Sequence, residues 1–290
     1  MAVYHVSIKV ASKNAERNMR ASAHYAYLGR SGAYQELRTD EETVYLKSGN
    51  MPSWAQHDPS IFWLASDTYE RKNGSVYREL EAALPRELSS QHQREIVQEF
   101  IDEVLGTQHP FSFSIHVKAA SDGLPQPHVH LMWSEREMDG IERDPATFFS
   151  RAAAARKGKD GQVQNRPDPA DGGCKKISMH PRLHEFRTLW ANLTNKAYLK
   201  AGLQLSVSHL SLKAQGLKRE PERHLGPFLF PSDESKILIA RRRAHHDAQR
   251  AEAEGLKIMA ELWDIRVSQS RIRKLVAPIT PSTKTMKNAK

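Results

Sequence analysis

The chain has one cysteine, Cys174, among its 290 residues, so no internal disulfide can form. It also lacks an apolar run long enough to span a bilayer. Its N-terminus has neither the basic start nor the apolar centre of a signal peptide. These absences exclude a disulfide-stabilised secreted protein and a transmembrane protein. We therefore expect a soluble protein of the reducing cytoplasm, without membrane insertion.

Acidic residues are fewer than basic ones, and the formal net charge is +9. The excess is uneven, because residues 236–290 hold 13 Lys and Arg against 5 Asp and Glu and carry +8 of that charge. Such a segment commonly contacts phosphate backbones, although a solvated helix has the same composition. The length suits one substantial core with an appendage. We predict a main domain over residues 1–230, a basic helical extension over 231–277 and a disordered tail over 278–290.

Three histidines stand on stretches that alternate like β-strands. Apolar and polar side chains alternate in residues 111–117 and 127–133, and the segment between them is rich in turn residues. An antiparallel hairpin would bring His116, His128 and His130 onto one face of a sheet. Three neutral imidazoles that leave coordination positions open are typical of a catalytic metal site.

A simpler explanation exists for part of this pattern. The chain has 14 histidines, so the His128-Val129-His130 triplet by itself is better explained by two surface residues. The third histidine on the matching face shifts the balance toward a metal site.

The remaining periodicities predict further elements. We expect strands over residues 3–10, 43–46 and 75–84, and helices over residues 14–28, 59–71, 90–105 and 183–201. The predicted helix caps are Asn14, Asp58 and a Ser90-x-x-Gln93 capping box. Residues 151–180 combine basic residues with Gly and Pro, which favours a mobile basic loop.

The first predicted helix carries two tyrosines, Tyr25 and Tyr27, after Arg17 and Arg20. A tyrosine attacks phosphorus only if nearby positive charge or a base ionises its phenol, and a metal ion and the arginines would supply that charge. Tyrosines on an amphipathic helix are more often half-buried packing residues. A spacing of two also places the pair on different helix faces.

Five sequence blocks occur together in one order. They are Met1-Ala2-Val3-Tyr4-His5, Arg20-Ala21-Ser22-Ala23-His24-Tyr25, Glu79-Leu80-Glu81-Ala82-Ala83-Leu84-Pro85, Pro127-His128-Val129-His130-Leu131-Met132 and His224-Leu225-Gly226-Pro227. As a set they resemble the MobA/MobL-type plasmid mobilisation relaxases of the MobQ class, which are single-strand endonucleases of the His-hydrophobic-His (HUH) superfamily. The resemblance implies an α+β fold, with a central antiparallel β-sheet and flanking helices, followed here by a basic helical extension.

The resemblance also implies an activity. A relaxase nicks one strand at the transfer origin of a mobile element, stays attached to the 5′ end through a phosphotyrosine and later rejoins the strand. The family's nucleophile falls on Tyr25, with Tyr27 as the nearest mistaken candidate, and its metal ligands fall on His116, His128 and His130. Its acidic pair falls on Glu79 and Glu81, which share a strand face and would orient an imidazole or accept a proton. The alternative is a solvated strand face, which applies to Glu79 as much as to Glu81.

The implied ligands are a divalent ion, Mn²⁺ or Mg²⁺, and the single-stranded and supercoiled DNA of a transfer origin. Accessory mobilisation proteins and a type IV secretion coupling protein are the implied partners. Stacking surfaces and cations for DNA are expected from the following residues: Arg17, Arg20, Tyr27, Arg156, Lys157, Lys159, His209, Gln215 and His224. Ser208-His209-Leu210 departs from the Asp-His-Arg that relatives commonly carry, and Gln126 stands where many have Asn.

Three other functions fit parts of the sequence. A rolling-circle replication initiator shares the chemistry, but usually places its tyrosine after the histidines. A hydrolase would use the three histidines to hold Zn²⁺ and activate water. A non-enzymatic accessory protein would bind DNA through the basic tail, with salt-dependent affinity and no cleavage.

Overall fold

The structure is a computed structural model that describes residues 4–13, 20–34, 41–120, 124–154, 156–157, 162–165, 167–179 and 182–217, with scattered positions between 240 and 265. The chain separates into two compact units, Met1–Arg223 and His224–Lys290. The described positions of the second unit are helical. The predicted boundaries at residues 230 and 277 stay predictions.

Five antiparallel strands form the main sheet of the described residues, in the order β1-β3-β5-β4-β2. They are β1 (Val6–Ser12), β2 (Glu41–Gly49), β3 (Ser75–Ala83), β4 (Phe111–Ala119) and β5 (Pro125–Trp133). The predicted hairpin is present as β4 and β5, in the centre of the sheet. Two short strands, β6 (Arg156–Lys157) and β7 (Val163–Asn165), pair separately.

Helices cover both faces of the sheet, which confirms the predicted α+β fold. They are α1 (Ala21–Leu28), α2 (Pro59–Tyr69), α3 (Ser90–Val104), α4 (Pro145–Phe149) and α5 (Leu183–Lys200). Short 3₁₀ turns lie at Gly32–Tyr34, Ser53–Ala55 and Pro169–Asp171. Among the described residues, none of these helices has the length and apolar character needed to cross a membrane.

The two sheet faces have different partners because side chains alternate along each strand. Apolar residues of β3, β4 and β5 pack under α3 and α5 in one core cluster, which includes Leu80, Phe113, Leu131, Trp133, Phe100 and Trp190. The other face lies against α1 and α2, whose buried cluster includes Leu28, Phe62, Trp63 and Met132. The histidines of the hairpin are on this second face.

Several predicted helix and strand boundaries are wrong. The helix expected from residue 14 begins at Ala21, because Arg20 has an extended backbone; Asn14 lies outside the described residues. Helix α3 is capped by Ser89, whose Oγ accepts from the His92 N–H, so the expected capping box at Ser90 does not form. Strand β2 is longer than expected because it pairs with β4 along Glu41–Gly49.

The segment after β5 is better ordered than its composition suggests. The buried guanidinium of Arg136 forms a two-bond ion pair with Glu70, at 2.9 and 3.0 Å, and donates to the carbonyls of Phe149, Ser150 and Cys174. Charge-assisted bonds of this kind hold a buried cation in one place. The expectation of a mobile loop is therefore wrong at Cys174, and also at Gly173 and Ile177, whose backbone N–H groups bond to the carbonyls of Arg151 and Glu135.

Candidate metal centre and active site

Three histidines meet at the centre of the sheet. His116 on β4 lies directly opposite His128 on β5, and His130 follows two residues later on the same face. Each offers a ring nitrogen, and the three nitrogens lie within 4.8 Å of one another. All three side chains are buried. Among the described residues, this is the group that is able to hold a metal ion.

The hydrogen bonds of the rings determine which nitrogens keep lone pairs. His130 Nδ1 donates to Glu79 Oε1 at 2.8 Å, and His128 Nδ1 donates to the Gln126 carbonyl at 3.2 Å. His116 Nε2 donates to the Leu28 carbonyl at 3.0 Å. The lone pairs therefore remain on Nε2 of His128, Nε2 of His130 and Nδ1 of His116.

Two observations fit this group to a divalent metal ion. Among the residues that the structure describes, the buried Nε2 of His130 has no hydrogen-bond partner, which is unusual for a buried polar atom unless a ligand satisfies it. Metal-binding histidines also typically donate their second nitrogen to a carboxylate or carbonyl, as His130 and His128 do here.

The local electrostatics favour neutral imidazoles. Burial lowers the pKa of His116 to about 3, with the neighbouring histidines and Arg30 acting in the same direction. Burial also lowers the pKa of His128 and of His130 below the usual range. Neutral imidazole is the form that coordinates a metal ion, so the three side chains are in the metal-binding form near neutral pH.

Glu79 is the buried carboxylate of the site. Although burial raises its pKa, the hydrogen bond from His130 and the nearby His24 ring hold the pKa well below its usual range. The Nε2 atom of His24 lies 3.1 Å from Glu79 Oε1. Glu79 is therefore an anion that links a histidine of the sheet to a histidine of α1.

Glu81 is on the same strand face but has a different partner. Its carboxylate pairs with Lys9 of β1 at 2.6 Å, and Lys9 also lies 4.0 Å from Glu79. Glu81 lies directly opposite His130 in the sheet register. The side chain is more exposed than that of Glu79. Glu79 is thus the buried carboxylate of the acidic pair, and Glu81 is the partly exposed one.

Helix α1 is held against the histidine face by a residue of α2. The Asp67 carboxylate accepts hydrogen bonds from the backbone N–H groups of Ala21 and Ser22, at 2.7 and 2.9 Å, and from the Ser22 hydroxyl at 2.6 Å. A carboxylate at this position satisfies N–H groups that a helix start leaves without partners. This cap fixes the rotation of α1 over the sheet.

The structure places Tyr27 against the histidines. Its ring centroid lies 5.7 Å from that of His116 and 5.5 Å from that of His130, edge to face in both cases. His24, one helical turn earlier, stacks on Tyr27 at 5.8 Å and on Tyr77 at 4.8 Å. Tyr27 is thus the tyrosine of α1 that lies at the candidate metal centre.

Tyr25, the nucleophile expected from the resemblance, lies elsewhere on the sheet. Burial raises the pKa of its hydroxyl, while a hydrogen bond with Ser48 of β2 partly lowers it. Ser48 in turn contacts Ser112, four residues before His116 on β4. The two tyrosines differ because residues two apart on a helix face different directions.

Arg30 contacts both the Tyr27 ring and the His116 ring. Its guanidinium carbon lies 4.3 Å from the centroid of the Tyr27 ring, and its Nη2 atom lies 3.3 Å from Nδ1 of His116. The residue follows α1 in a left-handed conformation, with φ of 49°.

Most of the expected DNA contacts lie away from this centre or outside the described residues. Arg20 is exposed where α1 begins, the His209 ring contacts His184 of α5 at 5.9 Å, and Gln215 donates to the Leu210 carbonyl. Arg156 and Lys157 belong to β6, and their side chains are not described. Three further residues lie outside the described residues: Arg17, Lys159 and His224.

Sequence reasoning did not assign a role to His24, Arg30 or Asp67. The spacing of three between His24 and Tyr27 would have identified a shared helix face. No local pattern points to Asp67 as a cap for α1, because the contact joins residues 45 and 46 positions apart.

An antiparallel sheet that presents three buried histidines beneath a tyrosine-bearing helix defines a candidate metal-dependent active site. Comparison with known proteins gives the family. The MobA/MobL family profile matches residues 10–230, and the chain belongs to that family.

Similar proteins extend the comparison. The chain is 42% identical over 221 residues to the 43 kDa relaxation protein of Salmonella typhimurium, covering 76% of this chain and 57% of that protein. It is 36% identical over 231 residues to Mobilization protein A of Escherichia coli, covering 78% and 30%. Mobilization protein MobL of Acidithiobacillus ferridurans is 25% identical over 285 residues, covering 88% and 70%. The chain thus spans about half or less of the length of the first two relatives.

Proposed function

We propose that this protein is a relaxase that nicks one DNA strand at the transfer origin of a mobilisable element and rejoins it after transfer. The observation that carries the proposal is the placement of Tyr27 against three buried histidines with convergent lone pairs. Family membership and the names of the relatives support it.

The histidine group would hold a divalent ion, Mn²⁺ or Mg²⁺, through Nδ1 of His116 and Nε2 of His128 and His130. When bound, such an ion supplies positive charge to the scissile phosphate as charge develops there. Three imidazoles favour Mn²⁺ over Mg²⁺, because Mg²⁺ prefers oxygen ligands. Glu79 orients His130 and keeps the lone pair of its Nε2 toward the other two histidines.

We propose Tyr27, rather than Tyr25, as the nucleophile. Its hydroxyl would lose a proton as the oxygen attacks phosphorus, the bond from phosphorus to the 3′ oxygen would break, and the leaving 3′ oxygen would gain a proton to become the 3′ hydroxyl. The product is a 5′-phosphotyrosine, which retains the bond energy for rejoining without a nucleotide cofactor. The support is the ring contact of Tyr27 with His116 and His130.

The pair of tyrosines provides a matched test. Labelled single strands from the DNA that flanks the gene would be incubated with wild type, Tyr27→Phe, Tyr25→Phe and His128→Ala, with Mn²⁺ or EDTA, and resolved on denaturing gels. We expect a metal-dependent covalent adduct that Tyr27→Phe and His128→Ala abolish, and that Tyr25→Phe retains.

Each other result has a definite meaning. Loss of the adduct with Tyr25→Phe and its survival with Tyr27→Phe would restore the assignment that the resemblance implies. Cleavage without an adduct would indicate a metallonuclease that activates water. Binding to the cognate strand without cleavage would indicate an accessory DNA-binding protein. The secretion and accessory partners stay predictions.

A further inference from the structure

Arg30 contacts the tyrosine and the metal centre at the same time. Its guanidinium lies over the Tyr27 ring, at 4.3 Å from the centroid, while its Nη2 atom lies 3.3 Å from Nδ1 of His116. These contacts belong to one planar group, which has hydrogen-bond donors and no acceptor.

Two hydrogen-bonding contacts of the His116 ring fix its tautomer. The Leu28 carbonyl can only accept, so Nε2 of His116 carries the hydrogen. The guanidinium of Arg30 can only donate, so Nδ1 carries the lone pair. The nitrogen of His116 that is able to bind a metal ion is therefore the nitrogen that Arg30 contacts.

The backbone at Arg30 is consistent with a functional position. Its φ of 49° lies in the left-handed region, which a non-glycine residue adopts at a free-energy cost. The N–H of Arg30 bonds to the carbonyl of Tyr27 at 3.2 Å, so this turn folds the residue back over the last turn of α1. The conformation brings the guanidinium to the tyrosine and the histidine.

We propose that Arg30 is a positioning residue whose guanidinium and the metal ion compete for Nδ1 of His116, so that metal binding releases Arg30 from the histidine while it keeps its place over Tyr27. The proposal rests on the proposed function for the role of Tyr27. The competition itself involves only Arg30, His116 and a metal ion.

The test is a calorimetric titration of Mn²⁺ alone into the full chain. Arg30→Met keeps an unbranched apolar stem and removes the charge of the side chain, and Arg30→Lys keeps the charge. Arg94→Met is the matched control, because Arg94 also lies over a tyrosine ring, that of Tyr45 at 5.4 Å, and Tyr45 packs with the core on the opposite sheet face. Thermal unfolding would establish that each variant is folded.

We expect Arg30→Met to bind Mn²⁺ at least about fivefold more tightly. The substitution removes a positive charge beside the ion, and it removes the guanidinium that contacts Nδ1 of His116. Arg30→Lys and Arg94→Met should stay within about twofold of wild type, since neither lowers the charge beside the site. At saturating Mn²⁺, the rate of adduct formation by Arg30→Met should fall about tenfold, because the tyrosine ring loses its cation–π contact and its fixed orientation.

Tighter metal binding together with slower adduct formation supports the proposal, since simple loss of structure would weaken both. A metal affinity that is unchanged or weaker in Arg30→Met overturns it, as does an unchanged adduct rate at saturating metal. If the wild-type protein forms no adduct, the proposed function fails. The Mn²⁺ titration then still shows whether Arg30 and the metal ion compete for His116.

Discussion

At the scale of single residues, Glu79 orients one histidine of the candidate metal centre. Its carboxylate accepts from Nδ1 of His130 and lies beside His24, so it fixes the ring of one candidate ligand and contacts the helix that carries Tyr27. We expect Glu79→Gln to weaken Mn²⁺ binding by about 10-fold or more, because a neutral amide orients and polarises the imidazole less well. Calorimetric titration would measure the loss.

Glu81→Gln is the control for that prediction, because Glu81 shares the strand face and pairs with Lys9 instead. An exposed ion pair contributes about 1 kcal/mol or less, so its loss should change Mn²⁺ affinity by no more than about fivefold. Equal losses in both variants would contradict a specific role for Glu79.

The sequence alone predicts where some of these residues lie in the site, but not where others lie. Alternation with a period of two located the three histidines and put Glu79 and Glu81 on one face, because strand geometry is local. The choice between Tyr25 and Tyr27 depends on the rotation of α1, which Asp67 fixes from another element. No spacing within α1 encodes that rotation.

At the scale of elements, a group of hydrogen bonds around the buried Glu135 carboxylate joins β3 to the segment that follows β5. Glu135 accepts from the Ser75 hydroxyl and the Arg78 guanidinium, each at 2.6 Å, and from the backbone N–H of Met179 at 3.0 Å. Although burial raises the pKa of Glu135, these hydrogen bonds bring the pKa below its usual range.

The direction of that pKa shift gives a prediction for stability against pH. A carboxylate with a lowered folded-state pKa stabilises the fold above its unfolded pKa of about 4.3, and the contribution is lost as pH falls through the folded value. We expect Glu135→Gln to lower the free energy of unfolding by about 3 kcal/mol at pH 7, because it leaves Arg78 buried without its counter-ion. Below about pH 4 the difference from wild type should shrink.

Urea denaturation at several pH values would measure this difference. Glu99→Gln is the control, since Glu99 pairs with Lys196 and Lys200 on the surface and should lose about 1 kcal/mol or less. A difference between Glu135→Gln and wild type that stays constant down to low pH would contradict ionisation of Glu135 as its cause.

Helix and strand identity was predictable where periodicity and caps agree, as for α2, where Asp58 accepts from the Ser60 N–H and Pro59 begins the helix. Prediction failed where a distant side chain decides the boundary. The start of α1 depends on Asp67. The position of Cys174 depends on Arg136, which lies on the other side of α4 in the sequence.

At the scale of the whole molecule, metal binding should stabilise the fold, because the centre joins the middle strands of the sheet and contacts α1. Mn²⁺ at about 100 times its dissociation constant should add about 2.7 kcal/mol to the free energy of unfolding. Differential scanning calorimetry should show a rise in Tm that EDTA reverses.

Two histidine variants provide the control for this prediction. His128→Ala should remove the rise in Tm, while His184→Ala, which changes an exposed residue of α5, should retain it. The same rise in His128→Ala would place the metal elsewhere.

The hairpin that carries the histidines also has a consequence for folding order. His116 and His130 are close along the chain, and hairpins form on the order of microseconds, whereas the bond between His116 and Leu28 joins residues 88 positions apart. The three candidate metal ligands can therefore come together before α1 brings Tyr27, the proposed nucleophile, to them. If the proposed function holds, a newly made chain would be able to bind its ion before Tyr27 is in place, so partly folded molecules would hold metal without being able to break DNA.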